Sequence, residues 1–542
     1  MSSVSASAPR GSPRLTRRRL LQTAAGAGAA LAATPLLAEA PARGGTLVTV
    51  IQPEPTSLNS VVNNNYANGS VSANVYDGLL RYDDSMAPQP GLAERWEVPA
   101  DGRSITFHLR KGVKWHDGAE FTSADVEFSA LELWKKLHAR GRVTFASLED
   151  VETPDAHTAV FHLNAPAPVI LSALNAAESQ VLPKHLYENT DILKNPYNNA
   201  PVGTGPFRFK EWKRGQYVLL EKNPDYWEVG KPYLDRIIFR VIPDAASRAA
   251  ALETGEVLYA PFTAVPLADV KRLQVSAELA VETRGYAFQS HVFLLDLNLS
   301  NPVLADVRVR RAIAHAINRQ GLIDTVWYGF GKPAISPVPS HLTRFHNPEV
   351  PSYDYDPAAA EKLLDEAGYP RKDNGARFSI THDYLPFGET YKYAGDYIRD
   401  NLKRVGIDFV LRGQDYPTWT RRVYSDWDFD TDSNTIAVMM DPEMGLPRLI
   451  ISTNHVRGVP ASNNSGYNNP EADRVIRAFQ IEPDAVKRKA LFDELQVLVM
   501  RDLPILPLSE MRHVTLYNRK VHGLGTGPDA ALAALSNVWI EP

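Results

Sequence analysis

The chain has 542 residues, of which 44% are hydrophobic and 22% charged, with a formal net charge of -5. That balance is ordinary for a soluble globular protein and excludes the strongly basic surface of a nucleic-acid binder. The chain has no cysteine, which excludes a disulfide framework, thiol chemistry and lipid attachment to a cysteine behind a leader.

In chain order, the first feature is a basic start. Arg10, Arg14, Arg17, Arg18 and Arg19 precede Leu20–Ala38, a run without Asp, Glu, Lys or Arg. A membrane anchor competes with a signal peptide here. Gly26, Gly28, Thr23, Thr34 and Pro35 dilute the run, and the small-x-small site Ala40-Pro41-Ala42 follows, so residues 1–42 read as a cleaved signal. Cleavage at Ala38-Glu39-Ala40 is the rival, disfavoured because it leaves Pro41 next to the cut. Thr16-Arg17-Arg18-Arg19-Leu20-Leu21 resembles a twin-arginine export motif. The 500 residues that remain (542 minus 42) are ample for apolar cores, and none of their stretches approaches the ~18 apolar residues of a membrane span.

From Pro90 to Ser129 two strand patterns lead into a helix. Ile105, Phe107 and Leu109 alternate with Thr106, His108 and Arg110 after the turn dipeptide Asp101-Gly102, and Thr122 precedes Asp125 at capping-box spacing. His116-Asp117, beside Gly118, reads as turn chemistry or, as the alternative, an acid-base pair. Gly203-Thr204-Gly205-Pro206-Phe207 has neither a following Gly-Lys-Ser/Thr nor a third fingerprint glycine, so it is no nucleotide loop. Val309, Ala312, Ile313, Ala316 and Ile317 fall on one helical face, and Asp356-Pro357 opens a helix that Gly368 closes. Tyr416, Trp419, Tyr424, Trp427 and Asp428 crowd thirteen positions, followed by Asp430, Asp432, Asn434 and Met439–Leu449. Aromatic walls with a few polar groups describe a small-molecule pocket, while Tyr424 and Trp427 read equally as strand core. The 14 histidines are scattered singly, with no local metal-ligand pair, so neither a metal nor any other cofactor is expected.

Several of these segments occur together in one family. The 90–129 stretch, the Gly203–Phe207 motif with Asn223-Pro224-Asp225-Tyr226-Trp227, DVRVRRAIAHAIN from Asp306, the Asp356–Gly368 helix, YNNPEAD from Tyr467 and Leu491–Leu508 resemble the periplasmic solute-binding proteins of peptide- and nickel-type ABC importers, solute-binding family 5. The resemblance implies a two-lobed α/β periplasmic-binding-protein fold, type II-like and of the large class with an extra inserted domain, hinged between lobes. Carried over, residues 43–86, 204–288 and 509–542 form lobe I, 87–203 the insertion and 289–508 lobe II. It implies a non-enzymatic, monomeric receptor that takes a peptide-like or other amphiphilic solute in the periplasm and hands it to a membrane permease and its ATPase. The alternatives are a metal-chelate receptor, a chemoreceptor-linked or chaperone-like binder, and an exported hydrolase using His116-Asp117 or the Asp428, Asp430 and Asp432 carboxylates.

Ligand contacts are expected at Glu54 and Ser57 in the family's loop after the first strand, at Tyr66, and at Tyr416, Trp419, Trp427, Asp441 and Arg448. One departure bears on specificity. Members that bind free peptides commonly carry an aspartate three residues before an acidic-Pro pair, and here Val438 stands three before Asp441-Pro442. The peptide ammonium then lacks its carboxylate unless Asp441, Asp432 or Glu443 replaces it. Arg448 could fork onto a carboxylate or phosphate, or be a solvated helix arginine.

Overall fold

A computed structural model describes residues 41–542, so the segment 1–42 read as a signal, apart from Pro41 and Ala42, lies outside the described residues. The alternating pattern at Ser104–Leu109 is a strand with Ile105, Phe107 and Leu109 inward, and Gly102 takes the positive φ of 64° that its turn requires. The Asp125 carboxylate accepts from the N–H of Thr122 at 2.9 Å and from that of Lys184 at the same distance, so the cap also ties down a second segment. Val309, Ala312, Ile313, Ala316 and Ile317 are all buried along Val307–Ala316 and its cap. Asp356 caps the helix Pro357–Glu366 through the N–H groups of Ala358 and Ala359.

These elements build two large sheets. One has seven strands in the order Leu279–Glu282, Thr515–Asn518, Tyr259–Ala260, Thr46–Ile51, Arg236–Val241, Tyr217–Lys222, Phe207–Lys213. The other has six, in the order Gly331–Pro333, Ile505–Met511, Gln289–Leu297, Thr431–Met439, Phe378–Asp383, Ile407–Arg412. A smaller antiparallel sheet of four strands, within residues 93–163, shares an apolar core with the seven-stranded sheet, through Phe107, Phe161 and Trp134 on one side and Leu47 and Ile237 on the other. The chain passes between the two large sheets at 283–288 and returns at 512–514. Gln289–Leu297 and Ile505–Met511, which flank these passages, pair directly and antiparallel. Two adjacent passages between rigid sheets are the geometry of a hinge.

Helices cover both faces of the six-stranded sheet. Val292, Leu294, Ile436 and Val438 pack toward Pro470–Ile481 and Ala485–Asp502, while Phe293, Leu295 and Leu297 pack toward Val307–Ala316 and Glu389–Arg404. Both faces are therefore apolar, as a doubly covered sheet requires.

Two buried charge clusters interrupt this packing. Arg488 lies over the Phe479 ring at 4.0 Å and donates to both oxygens of Asp441, at 2.6 and 3.1 Å, and to Glu443 at 2.7 Å. Burial and the Asp441 charge hold the Glu443 carboxyl up at about 8. In the six-stranded sheet Asp296 stands directly opposite Asp432. Asn464 donates to one oxygen of each, at 3.3 and 3.0 Å, leaving Asp296 Oδ1 and Asp432 Oδ2 buried with no other partner. Two buried carboxyls at such a contact share a proton. Burial raises Asp296 to about 6, and burial with the Asp296 charge raises Asp432 further.

Removing one member of the Arg488 cluster leaves charge buried without its partner. Arg488→Ala is expected to cost about 3–5 kcal/mol in urea unfolding, and a loss under about 1 kcal/mol would show the cluster to be dispensable. The aspartate pair has the opposite value at neutral pH. Both carboxyls titrate above their unfolded values, so their contribution is complete below about pH 4 and is lost as pH rises through about 6. Asp432→Asn, which supplies a donor without a charge, should raise the melting temperature at pH 8 by roughly 1–3 °C in a chain of this size, with the gain shrinking toward pH 4. A lower melting temperature at pH 8 would refute the shared proton.

Candidate functional site

The two passages bring together aromatic rings from widely separated segments. After Tyr259–Ala260 the chain turns at Pro261, and both Phe262 and Thr263 adopt left-handed backbone, with φ of 55° and 54°. For non-glycine residues this costs energy that surrounding bonds must offset. The N–H of Phe262 donates to Tyr286 Oη at 2.9 Å, that of Thr263 to the Val514 carbonyl at 2.8 Å, and that of Val514 to Thr263 Oγ1 at 3.0 Å. The strained turn is thus clamped by both passages, and it presents the Phe262 ring.

A continuous wall results. Tyr66 stacks on Phe262 at 4.7 Å, Phe262 meets Tyr286 edge-on at 5.1 Å, Tyr286 lies 5.4 Å from His513, and His513 meets His291 at 5.0 Å. His513 Nε2 and His291 Nδ1 are 3.1 Å apart, a hydrogen bond in which one ring donates and the other accepts, so the accepting imidazole at least is neutral. Burial, with a further push from Arg140, lowers His291 to about 4, and burial with His291 lowers His513 to about 3. Tyr66 is pushed up to about 12, also by burial.

Beside the wall lies a cavity of about 380 Å³ bounded by Tyr286, Ser290, His291, Lys332, His341 and His513, so that the six-stranded sheet and both passages contribute to its lining, with Met86, Thr526 and Pro528 from segments outside that sheet. Ser290 Oγ and His341 Nε2 are 2.5 Å apart. Its size falls within the range of small-molecule sites, and aromatic walls with few polar groups suit an amphiphilic occupant. Phe262, Tyr286, His291 and His513 were not among the residues expected from sequence. The only local signal for them is the Pro261-Phe262-Thr263 break after a short strand, and it is weak.

Of the expected residues, Tyr66 lies in this wall. Glu54 accepts from Trp212 Nε1 and the Gly215 N–H, both at 3.0 Å, and Ser57 Oγ donates to the Asn198 carbonyl at 3.0 Å, so these two fasten the loop after the first strand. Tyr416 is part of a different stack, between Phe387 at 5.1 Å and Trp419 at 5.8 Å. Trp419 is buried and bonds the Asp383 carbonyl, and Tyr424, packed edge-on against it, is also core. Trp427, with φ 55°, lies between His455 at 3.9 Å and the Arg457 guanidinium at 4.3 Å. Val438 points into the core, and Asp441 is held by Arg488.

Arg448 is different from these. Its side chain keeps solvent contact, yet protein packs around it closely enough that burial, with Arg140 nearby, lowers its pKa. No ion pair reaches its guanidinium among the described residues. Arg140 itself donates to Glu178 Oε1 at 2.7 Å.

The alternative catalytic groups are structurally engaged. His116 accepts from the Gly203 N–H at 3.2 Å through Nδ1 and donates to the Gly205 carbonyl at 3.0 Å through Nε2, which fixes its tautomer and occupies both nitrogens. This also accounts for the glycines, since a Cβ on Gly203 would lie 1.8 Å from the Val75 carbonyl oxygen. Asp117 pairs with His185 at 2.7 Å. Asp428 faces Arg422, Asp430 accepts from Asn301 and Thr381, and Asp432 shares its proton with Asp296. The three carboxylates occupy three separate environments and form no acid-base pair. Among the described residues no group of three or more His, Asp or Glu side chains is placed to hold a metal ion.

Residues 87–455 match the family model for bacterial extracellular solute-binding proteins, family 5 Middle. The chain is 31% identical over 499 residues to a putative ABC transporter peptide-binding protein of Brucella ovis, an alignment covering 90% of this chain and 92% of that one. It is 28% identical over 517 residues to the oligopeptide-binding protein AppA of Bacillus subtilis, covering 92% of each. The structure of AppA in complex with a nonapeptide superposes with a TM-score of 0.75 at 26% identity, over 93% of this chain and all of that one. By this match over most of its length and its likeness to these relatives, the chain belongs to family 5 of the bacterial extracellular solute-binding proteins.

Proposed function

We propose that the protein is the substrate-binding receptor of an ABC importer, capturing an amphiphilic, peptide-like solute between its two lobes and delivering it to the membrane permease. The observation that carries this reading is the cavity lined from the six-stranded sheet and from both passages that join the two sheets among the described residues, which a ligand can close by binding the closed arrangement better than the open one. No helix among the described residues is long and apolar enough to cross a membrane. We place the receptor in the periplasm as a monomer, exported by the twin-arginine route with residues 1–42 removed. Lobe I comprises 43–86, 204–288 and 509–542, the insertion 87–203 and lobe II 289–508. The engagement of His116 and of the aspartates supports binding without chemical conversion.

Charge in the cleft bears on which solute it takes. A peptide ammonium enclosed without a carboxylate costs several kcal/mol. Val438 faces the core, Asp441 and Glu443 are bound to Arg488, and Asp296 and Asp432 share a proton. None of these carboxylates is left for an ammonium; of the acids that line the cavity, Glu510 accepts from the N–H and the hydroxyl of Ser340 and Asp84 is exposed, while Arg448 and the lining cations Lys332 and Arg512 have no ion-pair partner among the described residues.

Two measurements test the reading. The solute recovered from the exported protein, identified by mass spectrometry and added back at saturation, should reduce the radius of gyration in small-angle scattering, raise the melting temperature and be recovered unchanged. Multiple turnover of that compound would overturn the receptor assignment in favour of a hydrolase. In calorimetry, unmodified di- and tripeptides should bind weakly and their acetylated forms no worse, while Arg448→Ala should weaken the recovered solute about tenfold or more. Tight binding of free peptides with sharp loss on acetylation would show that an anchoring carboxylate exists after all.

A further inference from the structure

A second cavity, of about 570 Å³, lies away from the interlobe wall and shares no lining residue with the 380 Å³ cavity. Ile105, Leu163 and Leu171 form one side and Phe345, Pro483 and Val486 the other. The first three belong to the four-stranded sheet and the segment after it, the last three to the helical layer of the six-stranded sheet. The two sides touch at the rim, where a Cβ on Gly102 would lie 3.1 Å from Pro166 and 3.6 Å from Pro483. Behind them Val169 and Ala173 share a core with Phe345, Phe479 and Phe492. The cavity is therefore backed by packed side chains and needs no rearrangement to exist.

Its chemistry is one-sided. Pro166, Pro168 and Pro483 line it and carry no backbone N–H, so the walls offer few donors to a polar occupant. Val486 is 79% exposed and Val98 46%, apolar surface left in contact with water at the edge of the groove. Asp441, the single acid of the lining, is neutralised by Arg488 on the floor. Arg344 lies in the lining with its guanidinium exposed. It donates only to the Met86 carbonyl, at 3.3 Å, and has no carboxylate partner among the described residues. Lys489 adds a second cation, paired with Asp493 at 2.5 Å. An uncharged apolar ligand would leave Arg344 unused, a cationic one would be repelled, and a polar one would find few partners along the walls, Ser172 among them.

We propose that this groove is a second ligand site that takes a single-chain fatty carboxylate, its chain between Leu163 and Leu171 on one side and Val486 on the other, its head at Arg344. One wall is carried by the insertion and the other by lobe II, so an occupant stabilises this arrangement of the two bodies by its greater affinity for it.

The test is calorimetry on the delipidated, exported protein with dodecanoate below its micellar concentration, dodecyltrimethylammonium and a lysophosphatidylglycerol of the same chain length. Expected are one dodecanoate per chain, at least tenfold weaker binding of the ammonium and of the lysophospholipid, and at least tenfold loss for dodecanoate in both Leu171→Trp, which fills the groove, and Arg344→Glu. Arg344→Glu changes an exposed side chain, so it remains informative if Leu171→Trp fails to fold. Absence of saturable binding, equal affinity for the ammonium, or indifference to Arg344→Glu would overturn the site, and tighter binding of the lysophospholipid would overturn the carboxylate assignment.

Discussion

The antiparallel pairing of Gln289–Leu297 with Ile505–Met511 is the constraint on which the rest depends. Each strand lies on the six-stranded sheet and runs, within a few residues, into a strand of the seven-stranded one. Two chain passages held side by side restrict relative motion of the sheets to bending about one line, whereas a single passage would leave them free to rotate. The same pairing places His291 against Met511, two residues from His513, and so brings the two imidazoles into contact. It also sets the level at which Tyr286 and Val514 clamp the left-handed turn at Phe262. Hinge and binding wall are one structure, which is how occupancy of the cavity can be converted into movement of whole lobes.

Electrostatics then decides what the wall can hold. Several buried carboxylates of this fold are discharged by a neighbour or by a proton: Asp441 by Arg488, Glu178 by Arg140, Asp296 and Asp432 by each other. The histidines at the wall are neutral because burial opposes their charge. The lining of the cavity itself holds charge of both signs, Lys332 and Arg512 beside Asp84 and Glu510, none of them in an ion pair among the described residues.

Much of the scaffold was legible in short windows. The helix at Val307–Ala316, the cap at Asp125, the turn at Gly102 and the Asp356-Pro357 helix start are each specified by residues within one or two turns of one another, and the structure forms them where the pattern puts them. The two-lobed fold followed from motifs spread along nearly the whole chain. The site was less legible. The 416–449 window was expected to be its centre because aromatics and acids crowd there, yet Trp419 and Tyr424 are core, Asp441 is bound in an ion cluster and Tyr416 joins a separate stack. Density of aromatic residues in sequence measures composition, and core and pocket draw on the same residues.

The amino-acid sequence by itself determined the local elements, the two-lobed fold and the family, because hydrophobic period, caps and turns act over a few residues and recur as motifs. Only the tertiary structure decided the wall from Tyr66 through Phe262, Tyr286 and His513 to His291, which draws on five places in the chain. Apart from Tyr66, expected from the family resemblance, and the weak break at Pro261-Phe262-Thr263, none of those residues carries a local signature of binding. They become a site when long-range strand pairing sets them within 5 or 6 Å of one another, and it is the desolvation created by that pairing that keeps the histidines uncharged.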